Sequence, residues 1–242
     1  FILFLKMTEI NIHILGAGQP FRGEKSNALR EATNSMKVLD WQLNELIPLG
    51  ADIHFVGGYK FDEIVEKYPS LNYKINPFWE TSGPVSSLLY SNMNNNFKNI
   101  FCYGDILFKS EAIKKIAKSK SDIVIAIDTK WINRYKDRTI ENLKNSEKVK
   151  IKNQKIINIG SSISLEEADA EFAGIVSFNQ KVSLFINSNL EELNLMFKNV
   201  SLVDFLNYLI SRDFSIEGID INKQWAELNN SNDLINFIFG TK

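Results

Sequence analysis

Cysteine and histidine are almost missing from this chain, which has one of the first, Cys102, and two of the second, His13 and His54. A single cysteine excludes an internal disulfide and any zinc site of several thiolates, and reads as the core thiol of a reduced, cytoplasmic protein. Both histidines lie inside apolar runs, so they are read as packing residues. No Ser–His–Asp set and no histidine metal cluster can be assembled from them. Neither sign of charge is in excess: 28 Lys and Arg against 29 Asp and Glu leave a formal net charge of −1, no electrostatic footprint for DNA or RNA. No apolar run approaches the length that spans a bilayer. The opening "FILFLKM" is too short for a signal peptide and lacks a cleavage site; Met7 is read as the natural start and residues 1–6 as an upstream remnant. These absences direct attention away from nucleic acid, membrane and histidine-based chemistry.

What is present is ordinary in amount and ordered in pattern. A chain of 242 residues with 44% hydrophobic and 24% charged content can bury a large core. Short apolar runs alternate with helical patterns: "INIHIL" (10–15), "ADIHFVGG" (51–58), the weaker "LNYKIN" (71–76), "NIFCYGDILF" (99–108) and "DIVIAID" (122–128) read as strands. Between them fall helices: one capped by Ser35, with Val38, Leu39, Leu43, Leu46 and Ile47 on one face, one over about 61–67, one begun by Pro84 and running to Tyr90, and one over 111–118. Strands separated by helices predict an α/β fold, a Rossmann-like, mostly parallel sheet flanked by helices. "KVKIKNQKIINIG" (148–160) reads as a hairpin and hence a small antiparallel insertion at about 129–170; "AEFAGIVSF" (170–178) returns to the main sheet. Two helices, from about Asn179 and over 202–210, and a strand "FSIEGIDI" (214–221) precede the closing "WAELNNSNDLINFIF".

In an open parallel sheet, ligands bind beyond the carboxyl ends of the strands. After the first strand comes "GAGQPFRGEKSNAL" (16–29), which nearly spells the ATPase phosphate loop but places Glu24 between Gly23 and Lys25. Gly16 and Gly18 let backbone N–H groups approach phosphate oxygens, and Arg22 and Lys25 add two cations. A merely tight strand-to-helix turn explains the glycines about as well. "GGYK" (57–60) follows the second strand. "NPFWETSGPVSSLL" (76–89) follows the third, a mixture suited to base recognition or simply a structured loop. Asp105 of "YGDILF" is placed to hold Mg²⁺ against a phosphate, although a lone Asp at a strand end is more often a helix cap. "DTKWINRYKDR" (128–138) interleaves cations with Trp131 and Tyr135, as an anion-binding segment or a solvated loop would. Without a histidine base, chemistry driven by positioning and charge neutralisation is favoured, as in phosphoryl and nucleotidyl transfer.

Taken in order, these stretches resemble the nucleotidyltransferases of the GT-A-like α/β class. The opening motif of that family is a strand, Ala-Ala-Gly-x-Gly-x-Arg, a spacer and Lys; here it reads "LGAGQPFRGEKSNAL", with Gly16 for the first Ala, Pro20 for the next Gly and a short spacer. "GGY" (57–59), "YGD" (103–105) and "WAELNNSNDL" (225–234) are similar to further family blocks, the last with Asn229 in place of an Asp. "TSGPVSSLL" (81–89) resembles the cytosine-recognising segment of choline-phosphate and phosphonate cytidylyltransferases, and "NDLINFIFGTK" the seam at which such a domain runs into a phosphoenolpyruvate mutase domain.

The resemblance implies one nucleotidyltransferase domain over 7–242, excised from a longer fusion of phosphonate biosynthesis, that uses CTP, Mg²⁺ and a small phosphonate or phosphate acceptor. It implies nucleotide contacts from Leu15, Gly16, Ala17, Gly18, Arg22, Gly58, Tyr59, Thr81, Ser82, Gly83, Ser86 and Gly104, with Lys25 and Arg22 catalytic. Asp105 and Glu227 would hold the metal, with Asn229 as the competing second ligand. Trp131, Arg134, Arg138 and Glu171 would meet the acceptor. The alternatives are a sugar-phosphate nucleotidyltransferase using UTP or dTTP, an ATPase or kinase with a phosphate loop, and a silent nucleotide-binding domain.

Overall fold

Five of the six residues of β1 (Ile10–Leu15) are buried, which a strand manages only when both faces of its sheet are covered. In the computed structural model, which describes residues 9–20, 25–33, 35–135 (the Arg134 side chain excepted), 139–227 and 237–238, that condition is met by helices on the two sides. A two-stranded ribbon of β2 (Glu31–Thr33) and β3 (Met36–Lys37) leads into α1 (Val38–Leu46). The chain continues through β4 (Asp52–Gly57), α2 (Phe61–Lys67), β5 (Asn72–Ile75) and α3 (Pro84–Leu89). Next come β6 (Lys98–Tyr103), β7 (Ile106–Phe108), α4 (Ser110–Lys118) and β8 (Ile123–Asp128). A short 3₁₀ turn (Trp131–Tyr135), α5 (Ile140–Asn145) and the β9–β10 hairpin (Lys148–Lys152, Lys155–Gly160) precede the long β11 (Ala170–Phe178). Helices α6 (Gln180–Ser188), α7 (Leu190–Met196) and α8 (Leu202–Ser211) are followed by β12 (Ile216–Asp220) and β13 (Trp225–Glu227).

The main sheet runs β10-β9-β11-β6-β1-β4-β5, with β8 bonded to β11 and to β12. β5, β4, β1 and β6 are parallel, whereas β11 is antiparallel to both β6 and β8. Alternation along the strands sorts the core to two faces. Ile12, Ile14, Ile100 and Cys102 join Leu39, Leu43 and Ile113 from α1 and α4, while Leu15 and Phe101 join Val85, Leu88, Val182 and Phe205 from α3, α6 and α8. His13 packs as its setting in the sequence implied, its ring stacked 4.7 Å from Phe101 and 5.1 Å from His54. Among the described residues no helix is long and apolar enough to cross a membrane.

Two expectations are corrected. Ser35 does not cap α1: it lies in the turn between β2 and β3, and the helix opens at Lys37, whose N–H is taken by Asp40 Oδ2 at 2.7 Å. The stretch 99–108 is two strands, because the chain turns at Gly104–Asp105 and β7 leaves the main sheet to pair antiparallel with β13. The apolar "ILF" after that turn continues a strand pattern and so hides the break.

Candidate active site

The carboxyl ends of the central strands are tied to one another by backbone bonds. Gly16 N–H donates to Val56 O at 3.0 Å, Tyr59 N–H to Ala17 O at 2.9 Å, Asn76 N–H to Gly57 O at 3.0 Å and Gly104 N–H to Leu15 O at 2.9 Å. The loops after β1, β4, β5 and β6 are therefore one surface. Gly104 is required there by close approach: a Cβ on it would lie 2.9 Å from both Gly16 Cα and Leu15 O.

A cavity of about 280 Å³ opens on this surface, lined by Leu15, Gly16, Ala17, Gly18, Ser82, Gly83, Gly104 and Asp105. Asn27, Asn76, Trp79 and Ser87 line it too, from the two stretches 16–29 and 76–89 that the sequence singles out. Asn76 is its organiser: nearly fully buried, it donates to Ser82 Oγ and Ser87 Oγ, both at 3.0 Å, and accepts from Phe78 N–H at 3.0 Å. The signal for it was an Asn before Pro at a strand end, where a polar side chain bonds back onto its own turn. Of the other expected nucleotide contacts, Gly58, Tyr59, Thr81 and Ser86 do not line it. Ser86 is buried with its hydroxyl 3.4 Å from Asn76 Oδ1. A Cβ on Gly58 would strike Trp79 at 2.5 Å.

A second cavity, of about 1030 Å³, is lined by Asp105, Glu147, Glu171 and Glu227, together with Tyr103, Tyr135, Asn142 and Asn145. Tyr103 and Asp105 belong to both cavities, so the two meet at the turn between β6 and β7. Glu227 arrives through the β13–β7 ribbon, paired with Ile106, next in chain to Asp105. Trp225 anchors that ribbon by donating its Nε1–H to Asp128 Oδ2 at 3.2 Å. Glu171, buried on β11, accepts the Tyr135 hydroxyl. Trp131, by contrast, is only 1% exposed and packs edge-on against Tyr135, which is the aromatic of that turn facing the cavity. Arg22, Arg138, Asn229 and the side chain of Arg134 lie outside the described residues.

Five carboxylates line this cavity, counting the exposed Glu141, and the deeper ones perturb one another. Burial first, then the charge of Glu227, raises the pKa of Asp105, while the positive charge of Arg30 opposes the rise. Glu147 is pushed up to about 7, by burial first and then by Glu227, Glu171, Asp105 and Asp204. It stands at the head of β9, where Phe172 N–H binds its carbonyl at 2.7 Å, and no local pattern in "NSEKVKI" distinguishes it from a solvated charge. Lys148 next to it directs its Nζ to the carbonyls of Lys144 and Ser146, at 2.7 and 3.2 Å. The expected cation Lys25 is exposed, its charge felt by Glu31 on the β2 edge.

Among the described residues no group of three or more His, Cys, Asp or Glu side chains is arranged to hold a metal ion. Asp105 and Glu227 make a pair. Two carboxylates completed by substrate phosphates are the usual donor set for Mg²⁺. A carboxylate whose ionisation is resisted by burial and a like charge is a site whose electrostatics a cation would complete. The residues present fit that ion.

No protein-family model matches the chain. The CTP:phosphoglutamine cytidylyltransferase of Campylobacter jejuni subsp. jejuni serotype O:2 is 23% identical over 248 residues, covering 93% of this chain and 98% of that protein. The inositol-1-phosphate CTP transferase from T. maritima superposes with a TM-score of 0.70 at 16% identity, over 96% of each chain. The CTP:phosphocholine cytidylyltransferase from Streptococcus pneumoniae gives a TM-score of 0.64 at 16% identity, over 94% of this chain and 97% of that one. The chain thus has the GT-A-like nucleotidyltransferase fold, and the resemblance to cytidylyltransferases expected from its motifs is borne out.

Proposed function

We propose that the protein transfers CMP from CTP to a small acceptor bearing a phosphonate or phosphate group and releases pyrophosphate. One observation carries this reading. A glycine-lined cavity and an acidic cavity meet at a single carboxylate, Asp105, where an α-phosphorus could be approached from one side and left from the other.

In this reading the triphosphate lies over Gly16–Gly18, the base lies near Trp79, Ser82 and Ser87, and Arg22 is the cation expected for the triphosphate from the sequence alone. The acceptor occupies the second cavity, its tail toward Glu171 and Tyr135, and Arg134 and Arg138 are the cations expected for its anionic head from the sequence alone. An acceptor oxygen attacks the α-phosphorus in line as the bond to the bridging oxygen breaks and pyrophosphate departs. Asp105 and Glu227 would hold Mg²⁺, which supplies positive charge to the phosphate oxygens. The chain's own work is to fix the two reactants and exclude water, so no protein nucleophile is required. The positive charge at the reacting centre is expected of Lys25, and Arg30, whose charge lowers the pKa of Asp105, is the second candidate for it. The protein is taken to work in the cytoplasm, with neither nucleic acid nor membrane as a partner.

The test is a matrix of CTP, UTP, dTTP and ATP against aminoethylphosphonate, hydroxyethylphosphonate, phosphocholine and phosphoglutamine, scored by pyrophosphate release and product mass. CTP with one acceptor should dominate. Preference for UTP or dTTP would defeat the cytidylyl assignment. Release of γ-phosphate from ATP, or CTP binding without turnover on any acceptor, would defeat nucleotidyl transfer itself.

A further inference from the structure

We propose that Gln42 is a positioning residue that sets the turn carrying Asp105, an inference that rests on the role given to Asp105 above. Gln42 lies on α1 and is completely buried. Its Nε2 donates two hydrogen bonds, one to Tyr103 O at 2.9 Å and one to Ile106 O at 2.8 Å. Those carbonyls flank the Gly104–Asp105 dipeptide, so one amide group spans the turn where β6 ends and β7 begins. One donated proton is used on the last residue of β6 and the other on the first residue of β7.

The other half of the amide is the informative part. Gln42 Oε1 is buried and has no hydrogen-bond partner among the described residues. An orphaned buried acceptor is a standing cost that an apolar side chain of the same length would avoid. Its two protons satisfy two backbone carbonyls that an apolar side chain would leave bare, so the amide holds the Asp105 turn at one geometry at the cost of one unmatched oxygen.

The rest of α1 supplies the control. Trp41 Nε1 donates to Phe108 O at 2.9 Å and Glu45 Oε2 accepts from Ser110 N–H at 2.6 Å, so the same helix grips the same segment farther along. Only the grip of Gln42 brackets Asp105. A fixed carboxylate matters most in the transition state, so loosening it should lower kcat more than it raises KM.

The experiment compares wild type, Gln42→Met and, as the control on the same segment, Trp41→Phe. In Gln42→Met, kcat for CTP-dependent pyrophosphate release should fall tenfold or more with the KM for CTP within about twofold. Amide hydrogen exchange at Gly104 should speed at least tenfold, with β1 and β4 unchanged. Trp41→Phe should leave kcat within twofold. A folded Gln42→Met with kcat within twofold of wild type, a loss confined to KM, or an equal loss in Trp41→Phe overturns the proposal. If Gln42→Met does not fold, Gln42→Glu decides: protonating the carboxyl restores one donor, so its kcat relative to wild type should recover as pH falls, and a flat ratio overturns the proposal. Wild type without pyrophosphate release would instead sink the reading of Asp105.

Discussion

Glu227 reaches Asp105 by strand pairing: it stands opposite Ile106 on the β13–β7 ribbon, 122 positions away in sequence and one register position from the carboxylate it joins. If this pair holds the metal, each member is needed in the transition state and neither is needed to bind the base. Asp105→Asn and Glu227→Gln should each lower kcat roughly a hundredfold, which corresponds to about 3 kcal/mol of lost electrostatic stabilisation. CTP binding measured by calorimetry in EDTA should change by less than threefold. Loss of metal-free CTP binding in either variant would show that the pair shapes the nucleotide cavity rather than the chemistry.

Arg30 and Lys25 compete for one role, and the fold separates them. The backbone of Arg30 is pinned, its N–H to Asn27 O at 3.1 Å and its carbonyl accepting from Val38 N–H at 2.9 Å, and its charge opposes the raised pKa of Asp105. Lys25 is exposed and its field falls on Glu31. Arg30→Ala is therefore expected to cost turnover roughly a hundredfold and Lys25→Ala less than tenfold. Steady-state pyrophosphate release at saturating CTP ranks them, and the opposite order would return the role to Lys25.

The parts of this molecule legible in the sequence are those whose neighbours are near in sequence or whose burial is uniform. β1, β4 and β8 announced themselves as apolar runs, and α2 (Phe61–Lys67) fell where its pattern put it. The Gly16–Gly18 loop and Asp105 were legible because a ligand must lie past the ends of such strands. Gln42 was not, since a Gln in an amphipathic helix is ordinarily solvated and only the return of β6 and β7 buries it. Glu147 was equally hidden: the like charges of Glu227 and Glu171 that act on it are brought to it by folding from far along the chain. The break between β6 and β7 is a tertiary event, the capture of Ile106–Phe108 by β13.

Gly104 packs backbone to backbone against the first glycine loop. A methyl group there would sit 2.9 Å from Gly16 Cα and from Leu15 O, and both are main-chain atoms of the central strand's end, with no flexible tip to move aside. Gly104→Ala must push the β1 loop and the Asp105 turn apart. Overpacking of this kind costs roughly 1–3 kcal/mol, a fall in Tm of roughly 2–10 °C for a chain of this length. CTP affinity should fall with it. A variant with unchanged Tm and unchanged CTP binding by calorimetry would mean that the two loops are not in contact in solution.

Glu147 gives the acidic cavity a pH signature. Its carboxyl is raised from 4.5 to about 7, by burial first and then by Glu227 and Glu171, so the fold keeps a proton there that the unfolded chain has already lost. Between those pH values the folded state binds more protons than the unfolded one, so stability falls as pH rises through the window. Fully ionising the group should cost at most about 3 kcal/mol. Glu147→Gln carries no charge to bury and escapes that loss. Its Tm should match wild type near pH 4.5 and exceed it by several degrees at pH 7.5, as read by thermal unfolding across that range without divalent cations. Added Mg²⁺ should narrow the gap, because a cation between Asp105 and Glu227 lessens the field that resists ionisation of Glu147. A difference in Tm that stays constant from pH 4.5 to 7.5 would mean that Glu147 is solvated like any surface carboxylate. In that case the cavity would be open enough for water to screen the acids that line it, and the exclusion of water on which the transfer chemistry depends would have to come from the bound acceptor itself.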